Sequence, residues 1–111
     1  MIPITDALID EMVQAIVDEV DPEQVILFGS HARGTADDDS DVDLLVIESE
    51  PFPNAQSRYE EGIRLYNALS HFHVPKDILV YSRERVEYWR DSLNNVVARA
   101  LREGRVLYER P

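Results

Sequence analysis

Apolar positions recur along the chain with two periods, and the switch between them marks out the elements. Leu8, Ile9, Met12, Val13, Ile16 and Val20 keep helical spacing, while Asp10, Glu11 and Asp18 fall elsewhere. This predicts a helix over about Thr5–Glu19, capped by Thr5 or Asp6, ended by Asp21-Pro22 and covering one face of a sheet. The run Gln24–Phe28 is short, β-rich and stopped by glycine, which suits a buried strand. A short helical turn is expected over His31–Thr35, a polar loop over Asp37–Ser40, and a second strand over Val42–Ile47. Glu48–Asn54, with two prolines, reads as a surface loop. Ala55–Leu69 is expected to be helical, with Tyr59, Ile63, Tyr66 and Leu69 on one stripe, and His71–Pro75 breaks it. Lys76–Tyr81 reads as a third strand, and Ser82 as the N-cap of a helix over Arg83–Arg90. A further helix, Ser92–Glu103, has Leu93, Val96, Val97, Ala100 and Leu101 as its apolar face and stops at Gly104. Val106–Tyr108 is a short extended piece. Strands interleaved with helices, without a repeat or a linker, predict one α/β (α+β) domain over residues 1–111, a small mixed sheet packed with helices.

The junction between the first two strands carries the chemistry. Gly29-Ser30 lets backbone approach a ligand closely, since glycine has no Cβ in the way. Successive N–H groups in such a turn form a concave anion site, to which a hydroxyl and Arg33 can add. Asp41 and Asp43 stand two apart at the start of the second strand, so their carboxylates share a face beside this cradle. Phosphate donors above paired carboxylates describe a site for a metal–nucleotide complex. The bland alternative is a solvated acidic loop, because Asp37, Asp38, Asp39, Asp41 and Asp43 put five aspartates within seven positions. The last two adjoin a buried-type strand, however, where uncompensated carboxylates repel, and bound Mg²⁺ relieves that repulsion. A calcium loop is a poor reading: Val42 stands at the position of the usual glycine, and the preceding element is β-like. His71 and His73 read as solvated loop residues, and the tyrosines with Trp89 as core and interface residues.

Gly29-Ser30, ten residues, then Asp41-Val42-Asp43 resembles the signature of the polymerase-β-like nucleotidyltransferase superfamily. The fuller Gly-Ser-x-Ala-Arg-Gly form over Gly29–Gly34 is similar to the minimal nucleotidyltransferases of prokaryotes, several of which are antitoxins paired with a HEPN-domain toxin. The resemblance implies a third aspartate on a neighbouring strand as metal ligand and general base. Asp77, the only downstream aspartate that opens a strand, fits that place and by alternation shares a face with Leu79 and Tyr81. It further implies two Mg²⁺ ions held by Asp41, Asp43 and Asp77, ATP as donor, and β- and γ-phosphates held by Gly29 and Ser30. Arg33 either neutralises phosphate charge or braces the acidic loop. In the paired systems AMP is placed on a tyrosine of the HEPN toxin, which silences that ribonuclease. Arg64 with His71 mimics the ribonuclease pattern of HEPN toxins by chance, since a HEPN domain is all-helical.

Composition narrows the partners. The formal net charge of −11 repels nucleic acid and anionic membranes, so a polynucleotide substrate is disfavoured and a triphosphate needs screening cations. The absence of cysteine is compatible with a reducing cytosol, and a cytoplasmic location is expected. No apolar run reaches the roughly 20 residues of a membrane helix, and the N-terminus lacks a basic start. The expected activity is Mg²⁺-dependent nucleotidyl transfer, with a second chain supplying the acceptor in a heteromeric complex. Two alternatives stand beside it: a non-enzymatic antitoxin acting by contact alone, and transfer to a small hydroxylated molecule.

Overall fold

The computed structural model describes residues 3–37 and 39–111; Asp38, counted above in the acidic run, and the first two residues lie outside them. The element order is α1 (Asp6–Val20), β1 (Gln24–Phe28), α2 (Gly29–Arg33), β2 (Val42–Glu48), α3 (Ala55–Ala68), β3 (Lys76–Ser82), α4 (Arg83–Trp89), α5 (Val96–Glu103) and β4 (Arg105–Glu109). The four strands form one mixed sheet in the order β3-β2-β1-β4. β1 pairs antiparallel with β2 and β4, and β2 pairs parallel with β3 through the α3 crossover. The expected class, a small mixed sheet with helices, is the one found.

Strand alternation sorts the core onto two faces of the sheet. Val25, Leu27, Val42, Leu44, Val46, Ile78 and Val80 pack with α1 and α3, through Ile9, Met12, Val13, Ile16, Leu65 and Leu69. Ile26, Leu45 and Ile47 pack instead with Val86 of α4 and with Val97 and Ala100 of α5. Asp43 belongs to the second face, in alternation with Leu45 and Ile47. α1 thus covers one face as expected, with Thr5 Oγ1 accepting from Leu8 N–H at 3.1 Å.

Three helical expectations need correction. α5 starts at Val96 instead of Ser92, because Asn95 Oδ1 accepts from the N–H groups of Val97 and Ala98 at 2.8 and 3.3 Å and so caps the helix there. Leu93 is left outside it and 82% exposed, Val96 is exposed, and Ala98 is buried in their stead. On α3, Leu65 and Leu69 face the core, whereas Tyr59, Ile63 and Tyr66 are exposed. Of the apolar stripe expected there, Leu69 alone is buried, and Tyr66 meets the edge of β3 through its hydroxyl. The helical turn expected at His31–Thr35 begins two residues earlier, at Gly29. Gly104 ends α5 with φ −81°, outside the left-handed region. A side chain there would collide with Ala100 O, Ile26 Cγ2 and Leu27 O, so its smallness lets the α5–β4 connection press on β1.

At the far end of β2, Glu48 is half-buried, and its Oε2 has no hydrogen-bond partner among the described residues. Burial, and then the neighbouring Glu61 carboxyl, push its pKa up to about 8, against a weaker opposing pull from Arg64. The folded state therefore holds a proton that the unfolded chain has released, and the stability this gives is lost as pH rises through about 8. Thermal melts are expected to show stability falling between about pH 5 and pH 8. Glu48→Gln should flatten that slope, by roughly 1 kcal/mol after allowance for solvent screening.

Candidate active site

β1 ends at Phe28, whose register partner on β2 is Asp43, and Asp43 in turn pairs with Asp77 on β3. The mixed sheet thus sets three strand positions side by side, with neighbouring strands roughly 4.8 Å apart. The chain turns at Gly29, where φ is +72°, and enters α2 directly over Asp43. A Cβ on Gly29 would collide with Asp43 Oδ2, so both the backbone angle and the carboxylate beneath it require glycine here. Gly34, with φ +76°, closes α2 by donating its N–H to Ser30 O.

The acidic loop is held by its own hydrogen bonds. Ser40 Oγ accepts from Asp37 N–H at 2.9 Å and donates to Asp37 Oδ1 at 3.1 Å, and Asp37 Oδ1 also accepts from Asp39 N–H at 2.9 Å. His31 Nε2 donates to Ser40 O at 3.2 Å and ties α2 to the loop. The loop re-enters the sheet where Val42 N–H donates to Pro75 O at 2.9 Å, which aligns β2 with β3.

A cleft of about 270 Å³ opens on these residues. It is lined by Phe28, Gly29, Arg33, Asp43 and Asp77, and from α5 by Val96, Arg99, Ala100 and Glu103. Four of the six candidate residues therefore meet there: Gly29, Arg33, Asp43 and Asp77. Asp41 is exposed just ahead of β2 and does not line the cleft, although its charge acts on Asp43. Ser30 lies within α2, half-buried and outside the lining, with its carbonyl engaged in closing the turn. Burial raises the Asp43 pKa above the usual carboxylate range, the Asp77 and Asp41 carboxylates raise it further, and His31 and Arg33 oppose them.

Among the described residues the ion-pair partner of Arg33 is Glu103 of α5, at 4.0 Å, while His31 ties α2 to the loop. Tyr66 adds a support on β3, where its hydroxyl accepts from Ile78 N–H at 2.9 Å and donates to Asp77 Oδ1 at 3.4 Å. Sequence reasoning missed His31, Tyr66 and the α5 wall. Arg99 and Glu103 look like members of a solvated helical face, and only the return of α5 onto β1 brings them to the carboxylates.

Residues 9–107 match the family described as nucleotidyltransferase domain. The chain belongs to that family. No curated protein matches this nucleotidyltransferase. Its fold is similar to that of a protein assigned as a nucleotidyltransferase from Sulfolobus solfataricus, at 22% identity and a TM-score of 0.60, covering 94% of this chain and 79% of that one. It is also similar to a chain of a toxin–antitoxin crystallised with AMP-PNP, at 20% identity and TM-score 0.57, covering 91% and 73% of the two chains. A third likeness is to a complex of a tri-AMPylated Shewanella oneidensis HEPN toxin with its MNT antitoxin, at 16% identity and TM-score 0.55, covering 94% and 71%. Among the described residues no helix is long and apolar enough to cross a membrane.

Oxygen donors suit Mg²⁺, which takes one or two carboxylates together with substrate phosphates. Among the described residues no group of three acidic or histidine side chains converges to enclose an ion on its own. Asp43 and Asp77, paired on neighbouring strands, supply two such carboxylates. The crowding of charge has a direct readout. In Asp77→Asn the Asp43 carboxyl should titrate at lower pH than in the unaltered chain, since a like charge that raises its pKa is removed. Carbon-detected NMR titration of the aspartate carboxyls measures this, and an unmoved Asp43 would mean the two carboxylates do not interact.

Proposed function

We propose that this domain transfers AMP from ATP to a tyrosine of a HEPN-domain toxin, with which it forms a heteromeric complex in the cytoplasm, and so acts as an antitoxin. The observation that carries the reading is the pairing of Asp43 with Asp77 across neighbouring strands, directly under the Gly29 turn. Membership of the nucleotidyltransferase domain family supports the reaction class. The fold likeness to antitoxin chains in HEPN–MNT complexes supports the kind of partner.

In this reading residues 1–111 act as one minimal domain and the acceptor comes from another chain. Gly29 and Ser30 hold the β- and γ-phosphates through backbone N–H and hydroxyl groups, and Arg33 adds positive charge at the same end of the cleft. Asp77 takes the proton of the acceptor hydroxyl. The hydroxyl oxygen then bonds to the α-phosphorus while the bond to pyrophosphate breaks, and pyrophosphate leaves. Asp41, Asp43 and Asp77 would hold two Mg²⁺ ions, which supply charge neutralisation for the triphosphate. The net charge of −11 disfavours a nucleic acid as acceptor.

Intact-mass measurement of both chains after incubation with ATP and Mg²⁺ tests this. The partner should gain one or more AMP units, and the gain should fall by at least about a hundredfold in Asp41→Asn and Asp43→Asn. A stable complex that silences the toxin without any mass gain, and does so equally with both substitutions, would instead establish an antitoxin acting by contact alone.

A further inference from the structure

A second cleft is larger than the one with the carboxylates. About 400 Å³ in size, it lies where the 51–55 loop and α3 meet the end of β3 and α4, and it shares no lining residue with the candidate active site. Its walls carry Phe52, Tyr81 and Trp89 together with Arg58 and Arg85. Asp77 and Tyr81 stand four residues apart on one face of β3, so the two clefts are separated by roughly 13 Å along the strand.

Both arginines are held by rings. The Arg58 guanidinium stands 4.5 Å from the centre of the Tyr81 ring, and its Nη1 donates to Val80 O at 3.3 Å. Arg85 stands 5.5 Å from the Trp89 ring centre and 5.6 Å from that of Tyr88. Trp89 meets Tyr81 edge to face at 5.1 Å, so the aromatic groups brace one another. Ion pairs among the described residues engage Arg33, Arg64, Arg83, Arg90 and Arg110, but neither Arg58 nor Arg85. Glu84 shares the wall and pairs with neither. Among the described residues the guanidinium groups of Arg58 and Arg85 thus meet rings and a backbone carbonyl, and no carboxylate.

A guanidinium stacked by one face on a ring keeps its N–H fork for a bidentate oxyanion, phosphate above all. Its outer face, with Phe52 and Trp89, offers flat surface against which a nucleobase stacks. The volume lies within the range of small-molecule sites. A peptide carboxylate would use the forks and leave the rings idle, whereas a nucleotide uses both. We propose that this cleft binds a nucleoside phosphate, at a second site separate from the candidate catalytic one. The inference rests on the cleft alone and does not require the antitoxin reading.

Trp89 is the only tryptophan, so its fluorescence reports this cleft directly. The full chain is titrated with AMP in excess EDTA, which silences metal-dependent binding at the carboxylates, with excitation beyond the adenine band. A saturable change in emission is expected with Kd of roughly 1 mM or tighter. It should weaken at least about tenfold in Arg85→Gln and in Arg58→Lys, which keeps the charge but not the fork, and be unchanged in Asp43→Asn. Arg85 is exposed on α4, so its variant is expected to keep the wild-type circular dichroism. Adenosine and inorganic phosphate should each bind at least about tenfold more weakly than AMP. Absence of saturation, indifference to both arginine variants, loss of the signal in Asp43→Asn, or inorganic phosphate binding as tightly as AMP would each overturn the proposal.

Discussion

Everything at the candidate active site depends on the register of β2 against its two neighbours. Parallel pairing sets Asp43 beside Asp77, and antiparallel pairing sets it beside Phe28, one residue ahead of the Gly29 turn. A slip of one residue on β2 would send Asp43 to the α1–α3 face and bury it among leucines and valines. The register is held from both sides: Val42, Leu44 and Val46 pack on the α1–α3 face and Leu45 and Ile47 on the α4–α5 face, while Val42 N–H bonded to Pro75 O fixes the entry to the parallel pair. Burial first, and then repulsion from the neighbouring carboxylates, raises the pKa of Asp43.

The surroundings divide into groups that intensify that charge and groups that temper it. Asp41 and Asp77 intensify it from either side, and His31 and Arg33 of α2 temper it. His31 also ties the acidic loop to α2, so the element that overlies Asp43 and the loop that carries Asp41 are joined by one hydrogen bond. Tyr66 reaches across the outer edge of β3 to an N–H and to the Asp77 carboxylate, and so links α3 to the site. α5 closes the other wall because Gly104 lets it lie against β1. Elements with no signature of their own thus decide the shape of the cleft.

Most of the sheet was legible because its strands are short apolar runs bounded by glycine, proline and charge. The place of Asp77 beside Asp43 followed from strand alternation joined to a family resemblance. What stayed hidden depended on long-range docking or on a local cap. The periodicity of Leu93 and Val96 suggested a longer α5, yet the Asn95 side chain starts the helix at Val96 and leaves Leu93 in solvent. Of the stripe Tyr59, Ile63, Tyr66 and Leu69, only Leu69 is buried; Leu65 joins it in the core, and the Tyr66 hydroxyl stays at the edge of the sheet. Arg58 and Arg85 gave no signal at all, since their cleft exists only where the end of β3 meets α4 and the loop after β2.

The most direct test of the central claim is a crystal structure with Mn²⁺ and a non-hydrolysable ATP analogue, read by anomalous scattering. The account predicts manganese between Asp43 and Asp77, with the triphosphate against the Gly29 turn. Manganese and triphosphate bound away from these two carboxylates, at concentrations that saturate the protein, would contradict it.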